Sequence, residues 1–227
     1  MYDISTLISK LVTERHLQAY SDNSDIQSFF EDYGVAGVVD FAKNMDFLHI
    51  VEISVGGNKS DRWIREQISH TTAFLEDGLV VNELKINRQN IMDNDVLNEQ
   101  KEILKSFGFE NIDPIVENIL FTGENKNKFR IYVPEGSKLV SVEGLEKEYD
   151  TAAELNKTVF SGYFKLRPEG VSKVTFKYTL PFKKGTGDYR MMIQKQAGTD
   201  APLYTVITPK TEEEFLLNTD KEIGLKI

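Results

Sequence analysis

Between Lys157 and Lys184 apolar and polar residues alternate. Val174, Phe176, Tyr178 and Leu180 take every second position, with Lys173, Thr175, Lys177 and Thr179 between them. Successive side chains of a strand point to opposite faces, so one face here is apolar and the other polar and cationic. A strand of this kind packs on a core with one side and meets water with the other. Phe160, Phe164 and Leu166 mirror the pattern upstream, and Arg167-Pro168-Glu169-Gly170 between the two runs is turn chemistry. The pattern predicts a hairpin that ends at Pro181, which has no N–H for a ladder. Two strands with one greasy face are not stable alone, so the chain must supply others.

The period changes several times before this stretch. Ile4, Leu7, Ile8 and Leu11 fall at helical spacing, with Asp3 or Ser5 as the cap. Arg15 to Tyr20 reads as a short extended piece that sets Leu17 and Tyr20 against the core. Ser24 opens a second helix with Gln27 completing a capping box, Ile26, Phe29, Phe30 and Tyr33 as its stripe, and Gly34 as its stop. From Phe47 the period is two. Phe47, His49, Val51, Ile53 and Val55 share one face and Leu48 and Ile50 the other, which predicts a strand covered on both sides at its start. Ile64 to Leu75 and Leu79 to Arg88 flank Asp77-Gly78, a strong hairpin signal, and complete a three-stranded meander. Asn94-Asp95 opens a third helix that stops at Gly108. Ile115 to Phe121, Phe129 to Val133 and Leu139 to Val142 read as strands, and Tyr149 to Lys157 as a loop. Tyr189 to Gln194, Leu203 to Ile207 and Ile223 to Ile227 read as the last strands.

These elements imply a mainly β fold: a β-sandwich of about eight to ten antiparallel strands with two or three peripheral α-helices. Residues 1–44 form a helical N-terminal cap. Residues 45–227 form the sandwich, with a helical insertion at about 90–109.

Composition narrows the function. The chain has 227 residues and a formal charge of −9, from 36 acidic and 27 basic side chains. An acidic surface repels phosphate backbones, so nucleic acid is not an expected partner. The absence of cysteine removes disulfides, thiolate nucleophiles and cysteine-based zinc sites together. No apolar run is long enough to span a bilayer, and Met1-Tyr2-Asp3 does not begin a signal peptide, so any targeting element would lie outside this chain.

Candidate chemistry is sparse. Gly56, Gly57, Asn58 and Lys59 form a loop whose N–H groups and lysine could cradle an anion. The same glycines serve equally to reverse the chain between strands, and the loop has neither the Walker spacing nor the dinucleotide fingerprint. His16, His49 and His70 lie on three segments, without the paired spacing of a metal site, and read as satisfied partners in a sheet. Asp22-Asn23-Ser24-Asp25 has the acids of a calcium loop but lacks its glycine and its terminal glutamate. There is no Gly-x-Ser-x-Gly elbow. A glycosidase-type carboxylate pair is a property of the fold, and no pair stands out in the sequence. Tyr132, Tyr163 and Tyr189 either stack on sugar rings or finish the core. No catalytic residue, metal site or cofactor is assigned.

Several short stretches resemble a known family. Val55-Gly-Gly-Asn-Lys-Ser-Asp-Arg-Trp63, Arg130-Ile-Tyr-Val-Pro-Glu-Gly136, Tyr178-Thr-Leu-Pro-Phe182 and Ile193-Gln-Lys-Gln-Ala-Gly-Thr199 follow one another in an order similar to the C-terminal half of the bacterial family called domain of unknown function 4012. Arg15-His16-Leu17 and the helix at Ser24 resemble its preceding segment. The resemblance implies an uncharacterised envelope protein with an N-terminal membrane anchor and its bulk outside the membrane. It supplies no catalytic residues. The expectation is a non-catalytic extracytoplasmic interaction or scaffolding module of a cell-envelope protein, whose partner is an envelope polymer or another envelope protein. The alternative is an enzyme or accessory domain acting on or binding envelope glycopolymers.

Overall fold

The computed structural model describes residues 3–39, 45–146 and 149–226, with the side chains of 118–121 excluded. The expected boundary between cap and sandwich, at residue 44, lies outside the described residues. So does Ile227, the expected end of the last strand.

Twelve strands form two six-stranded sheets. The first sheet holds, in spatial order, β12 (Lys221–Leu225), β9 (Tyr189–Gln194), β1 (Asp46–Ser54), β4 (Asn125–Pro134), β7 (Lys157–Leu166) and β6 (Asp150–Glu154). The second holds β11 (Glu212–Leu216), β10 (Leu203–Ile207), β2 (Ile64–Phe74), β3 (Leu79–Asn90), β8 (Val171–Lys183) and β5 (Lys138–Glu143). The sandwich is as expected, with more strands and a mixed topology. β1 runs parallel to β9 and β2 parallel to β10, while the other pairs are antiparallel.

The Lys157–Lys184 stretch is not a hairpin. β7 pairs with β4 and β6, and β8 with β3 and β5, so the Arg167–Gly170 turn carries the chain from one sheet to the other. Alternation fixes which face of a strand is buried but not which neighbour its edge meets. The two apolar faces meet across the core: Phe160 stacks on Phe176 with ring centroids 6.3 Å apart and packs on Tyr178, and Phe129 meets Phe176 edge-on. Phe160, Phe176 and Tyr178 are fully buried. The expected meander divides in the same way. β2 and β3 are a hairpin about Gly78 at φ +82°, but β1 lies in the opposite sheet.

Two expected elements change type. Ile115 to Phe121 belongs to a helix, α4 (Pro114–Phe121). Asp113 caps it by accepting from Ile115 N at 2.8 Å and Pro114 sits in its first turn, and these start signals outweigh the apolar run. The expected loop at Tyr149 to Lys157 contains β6, which turns into β7 through Leu155 and Asn156 at φ +52° and +55°. That is the backbone of a tight two-residue hairpin without its usual glycine.

The remaining helices are α1 (Ile4–Thr13), α2 (Ser24–Asp32) and α3 (Asn94–Ser106). Asn23, not Ser24, caps α2, accepting from Asp25 N and Ile26 N, and Gln27 accepts from Ser21 N instead of closing a capping box. Gly34 ends it at φ +66°. Leu17 and Tyr20 are exposed, contrary to expectation, because the segment is held by main-chain pairing of Ala19 with Ala36. The insertion after β3 carries both α3 and α4, linked by Lys101 and Glu117 at 3.3 Å, and so extends past residue 109.

Candidate functional site

The inward-facing positions of several strands end in charged residues. Along β1, Asp46, Leu48, Ile50 and Glu52 share a phase, as do Glu66, Ile68 and His70 along β2, and Leu84, Ile86 and Arg88 along β3. Glu66 and Arg88 are cross-strand partners in the second sheet. Glu52 meets them from the first sheet, across the space between the layers. Arg88 is almost fully buried. It donates from NH2 to Glu52 Oε2 at 2.7 Å, its Nε lies 3.2 Å from Glu66 Oε2, and its guanidinium covers the Phe164 ring at 4.7 Å.

The two carboxyls and the guanidinium line a cleft of about 620 Å³ between the sheets. Its wall is the loop after β9, from Lys195 to Pro202, and its floor includes Ile50, Ile68 and Tyr204. Asp61 and Arg62, from the 3-10 turn Ser60–Trp63, line it as well. Gln196 holds the floor in place by exchanging two hydrogen bonds with the main chain of Glu52: its Oε1 accepts from Glu52 N at 2.8 Å and its Nε2 donates to Glu52 O at 2.9 Å. This continues by a side chain the ladder that β9 has left. The Lys195 ammonium folds the loop, donating to Thr199 O at 2.6 Å and Gln196 O at 3.2 Å, and its burial pulls its pKa below the usual lysine value. Asp220 accepts from Lys195 N at 2.8 Å and pairs with Arg15, whose carbonyl accepts from Gly198 N.

Burial drives the Glu52 carboxyl well above its ordinary pKa, and the neighbouring Glu66 charge adds to this while Arg88 opposes it. Glu66 is also hydrogen-bonded to Glu52. Two carboxyls in that relation share a proton, since one must be the donor. The buried Tyr204 hydroxyl is likewise pushed up, first by burial and then by the two glutamates.

The loop expected from the sequence adjoins this cleft through Asp61. Gly56, Gly57, Asn58 and Lys59 lie together, with Gly57 at φ +74° and Lys59 at φ +57°. Asn58 is built into the structure: it donates to Glu124 O at 2.8 Å and accepts from Ser60 N at 3.2 Å, stitching the loop to the start of β4. The histidines do not converge. His49 Nδ1 lies 2.9 Å from Gln194 O, and His16 Nε2 lies 3.7 Å from Glu14. His70 sits in the core, where its Nε2 is 3.1 Å from the Tyr178 hydroxyl and 3.8 Å from Asp46. Fully buried Asp46 accepts from Asn82 at 2.7 Å, from Phe47 N at 2.7 Å and from the Tyr189 hydroxyl. Tyr178 and Tyr189 are thus core residues. Asp22 accepts from the Tyr20 hydroxyl, and Asp25 lies in the first turn of α2. Among the described residues no group of three or more His, Cys, Asp and Glu side chains is placed to hold a metal ion.

Glu52, Glu66, Arg88 and Gln196 are not singled out by any motif. The readable signal is phase: a charge at an inward position of an alternating strand must be paired or open to a cleft.

No family model matches the chain, and no curated protein matches it. A solved structure with a partly similar fold is that of a "putative nutrient binding protein" from Legionella pneumophila, at 9% sequence identity and a TM-score of 0.36. The alignment covers 71% of this chain and 54% of that one, so the chain spans about half the length of that protein.

Proposed function

We propose that this chain is a non-catalytic binding module of a bacterial cell-envelope protein, lying outside the membrane, and that the cleft between its sheets takes a segment of an envelope glycopolymer. The envelope location is what the family resemblance implies. The observation that carries the binding reading is the geometry of Glu52 and Glu66. Glycoside hydrolysis places its two carboxyls about 5–5.5 Å apart, or about 6.5–9.5 Å apart, to leave room for the sugar and a water. Here the two carboxyls are bonded to each other and both are held by Arg88. That arrangement suits a fixed polar floor: hydrogen-bonding groups beside Ile50, Ile64 and Tyr204, the mixture of a few placed polar groups on apolar walls that ligand clefts use.

A second reading keeps the same ligand and makes the chain an enzyme, favoured by the raised pKa of Glu52, which is the state of a general acid. Retention on purified peptidoglycan and on glycan arrays, followed by product analysis, separates the two. Retention without new products supports the module. Released fragments that Glu52→Gln abolishes would establish the enzyme, and no retention on any envelope glycan would overturn both.

A further inference from the structure

We propose that the cleft recognises its ligand through a primary ammonium, whose charge takes over the work of the proton held between Glu52 and Glu66. This rests on the reading of the cleft as a ligand site. Three observations lead to it. The first is an imbalance of charge at the cleft base: two carboxyls face one guanidinium, and the surplus is neutralised by a shared proton. The second is a set of polar atoms left without hydrogen-bond partners at this end of the sandwich. Glu52 Oε1, Glu66 Oε2 and Arg88 Nε are buried and unpartnered, and Arg88 is itself nearly all buried and lines the cleft. Ser172 Oγ, beside Arg88 in the second sheet, and both amide atoms of Asn127, beside Phe164 in the first, are unpartnered too. Buried polar atoms normally have partners, so a cluster of orphans at one end of the core marks a place built for polar contact. The third is access. The Glu52 and Glu66 side chains are 20% and 14% exposed, and both line the cleft.

A neutral hydroxyl could bond these carboxyls but would leave the proton in place. An ammonium next to them stabilises the doubly ionised pair, so the proton leaves as the ligand arrives. Arg62 and Arg65 also line the cleft and bring positive charge to its walls, so a ligand that carries an anionic group as well finds a partner there. The ligand class is therefore an amine-bearing saccharide unit or an amine-bearing peptide side chain, and the two are distinguished by experiment.

The test is calorimetry at about pH 5.5, run in two buffers of different ionisation enthalpy. The probes are the glucosamine tetrasaccharide, its fully N-acetylated counterpart, and an N-acetyl-lysine amide. A charge-assisted hydrogen bond contributes roughly 1.5–3 kcal/mol, so the amine form should bind about ten-fold or more tightly than its acetylated counterpart. It should also release close to one proton per ligand. Glu66→Gln should remove both the preference and the proton release while leaving the acetylated sugar bound, and its melting temperature reports whether it has folded. A lysine amide that binds with the same proton release supports the ammonium and names a peptide as its source. Equal binding of the two tetrasaccharides, or binding of the amine form without proton release, overturns the inference and leaves the cleft as a glycan site. Binding of none of the three probes overturns this inference together with the glycan reading.

Discussion

Asp46 and His70 should exchange a proton when the chain folds. Burial raises the Asp46 carboxyl from 3.8 to about 6, against the pull of its hydrogen bonds to Tyr189, Phe47 N and Asn82. Burial alone lowers His70 from 6.5 to about 3. At pH 5 the unfolded chain carries an ionised Asp46 and a charged His70, whereas the folded core carries both neutral. The proton count is the same in the two states, so this pair makes stability nearly flat between about pH 4 and 6. Each partner alone is steep, with opposite sign. A raised carboxyl contributes stability that is present below 3.8 and lost as pH rises towards 6. A lowered histidine contributes stability that is present above 6.5 and lost as pH falls towards 3. With one pH unit worth about 1.36 kcal/mol, Asp46→Asn should gain on the wild type by roughly 2 kcal/mol between pH 4 and 6. His70→Gln should lose on the wild type by roughly 2.5 kcal/mol over the same interval. Urea denaturation at pH 4, 5 and 6 measures both as differences from the wild type, which cancels the titration of every other group. If both variants run parallel to the wild type across the interval, to within about 0.5 kcal/mol, no proton passes between these residues on folding and the reasoning fails.

Other substitutions probe the remaining features. Arg88→Ala leaves Glu52 and Glu66 without their cation and should cost about 3–5 kcal/mol near neutral pH, and less near pH 4 where the carboxyls protonate, as urea midpoints at the two pH values would show. Phe176→Ala opens a cavity where Phe129 and Phe160 now pack and should cost about 3–5 kcal/mol, read by thermal melting. Leu155→Gly relieves a left-handed backbone at a half-exposed residue and should stabilise by up to about 1 kcal/mol, seen as a higher melting temperature. Gln196→Ala removes both bonds to the Glu52 main chain and should speed amide hydrogen exchange at residues 195–201 and at Glu52 with little change in the core.

The faces of the strands were legible from the sequence, and their neighbours were not. Phe160, Phe164, Val174, Phe176, Tyr178 and Leu180 are all buried, as alternation requires. Alternation is a local property, and it cannot distinguish β7 paired to β8 from β7 packed over β8. The β2–β3 hairpin was legible because Asp77-Gly78 carries turn chemistry, whereas Leu155-Asn156 makes an equally tight turn from residues that advertise none. The helix α4 was hidden by its apolar run, although Asp113-Pro114 announces its start. The cleft depends on Glu52, Glu66 and Arg88, whose positions 14 and more residues apart become neighbours only when two sheets face each other. Their shared inward phase was visible, and their convergence was not.

The parallel pairing of β1 with β9 and of β2 with β10 has a consequence for how the chain is made. The strands synthesised earliest take their second neighbour from the last part of the chain: Asp46 to His49 wait for Met191 to Gln194, and Gln67 to Thr71 wait for Leu203 to Ile207. A nascent chain halted before Tyr189 can build both antiparallel halves yet presents two open strand edges side by side, one per sheet. Long-range closure of this sort is slow, and open edges invite other nascent chains. Aggregation during synthesis should therefore fall sharply once β9 to β12 have left the ribosome, so the C-terminal strands act as an intramolecular guard for the N-terminal ones.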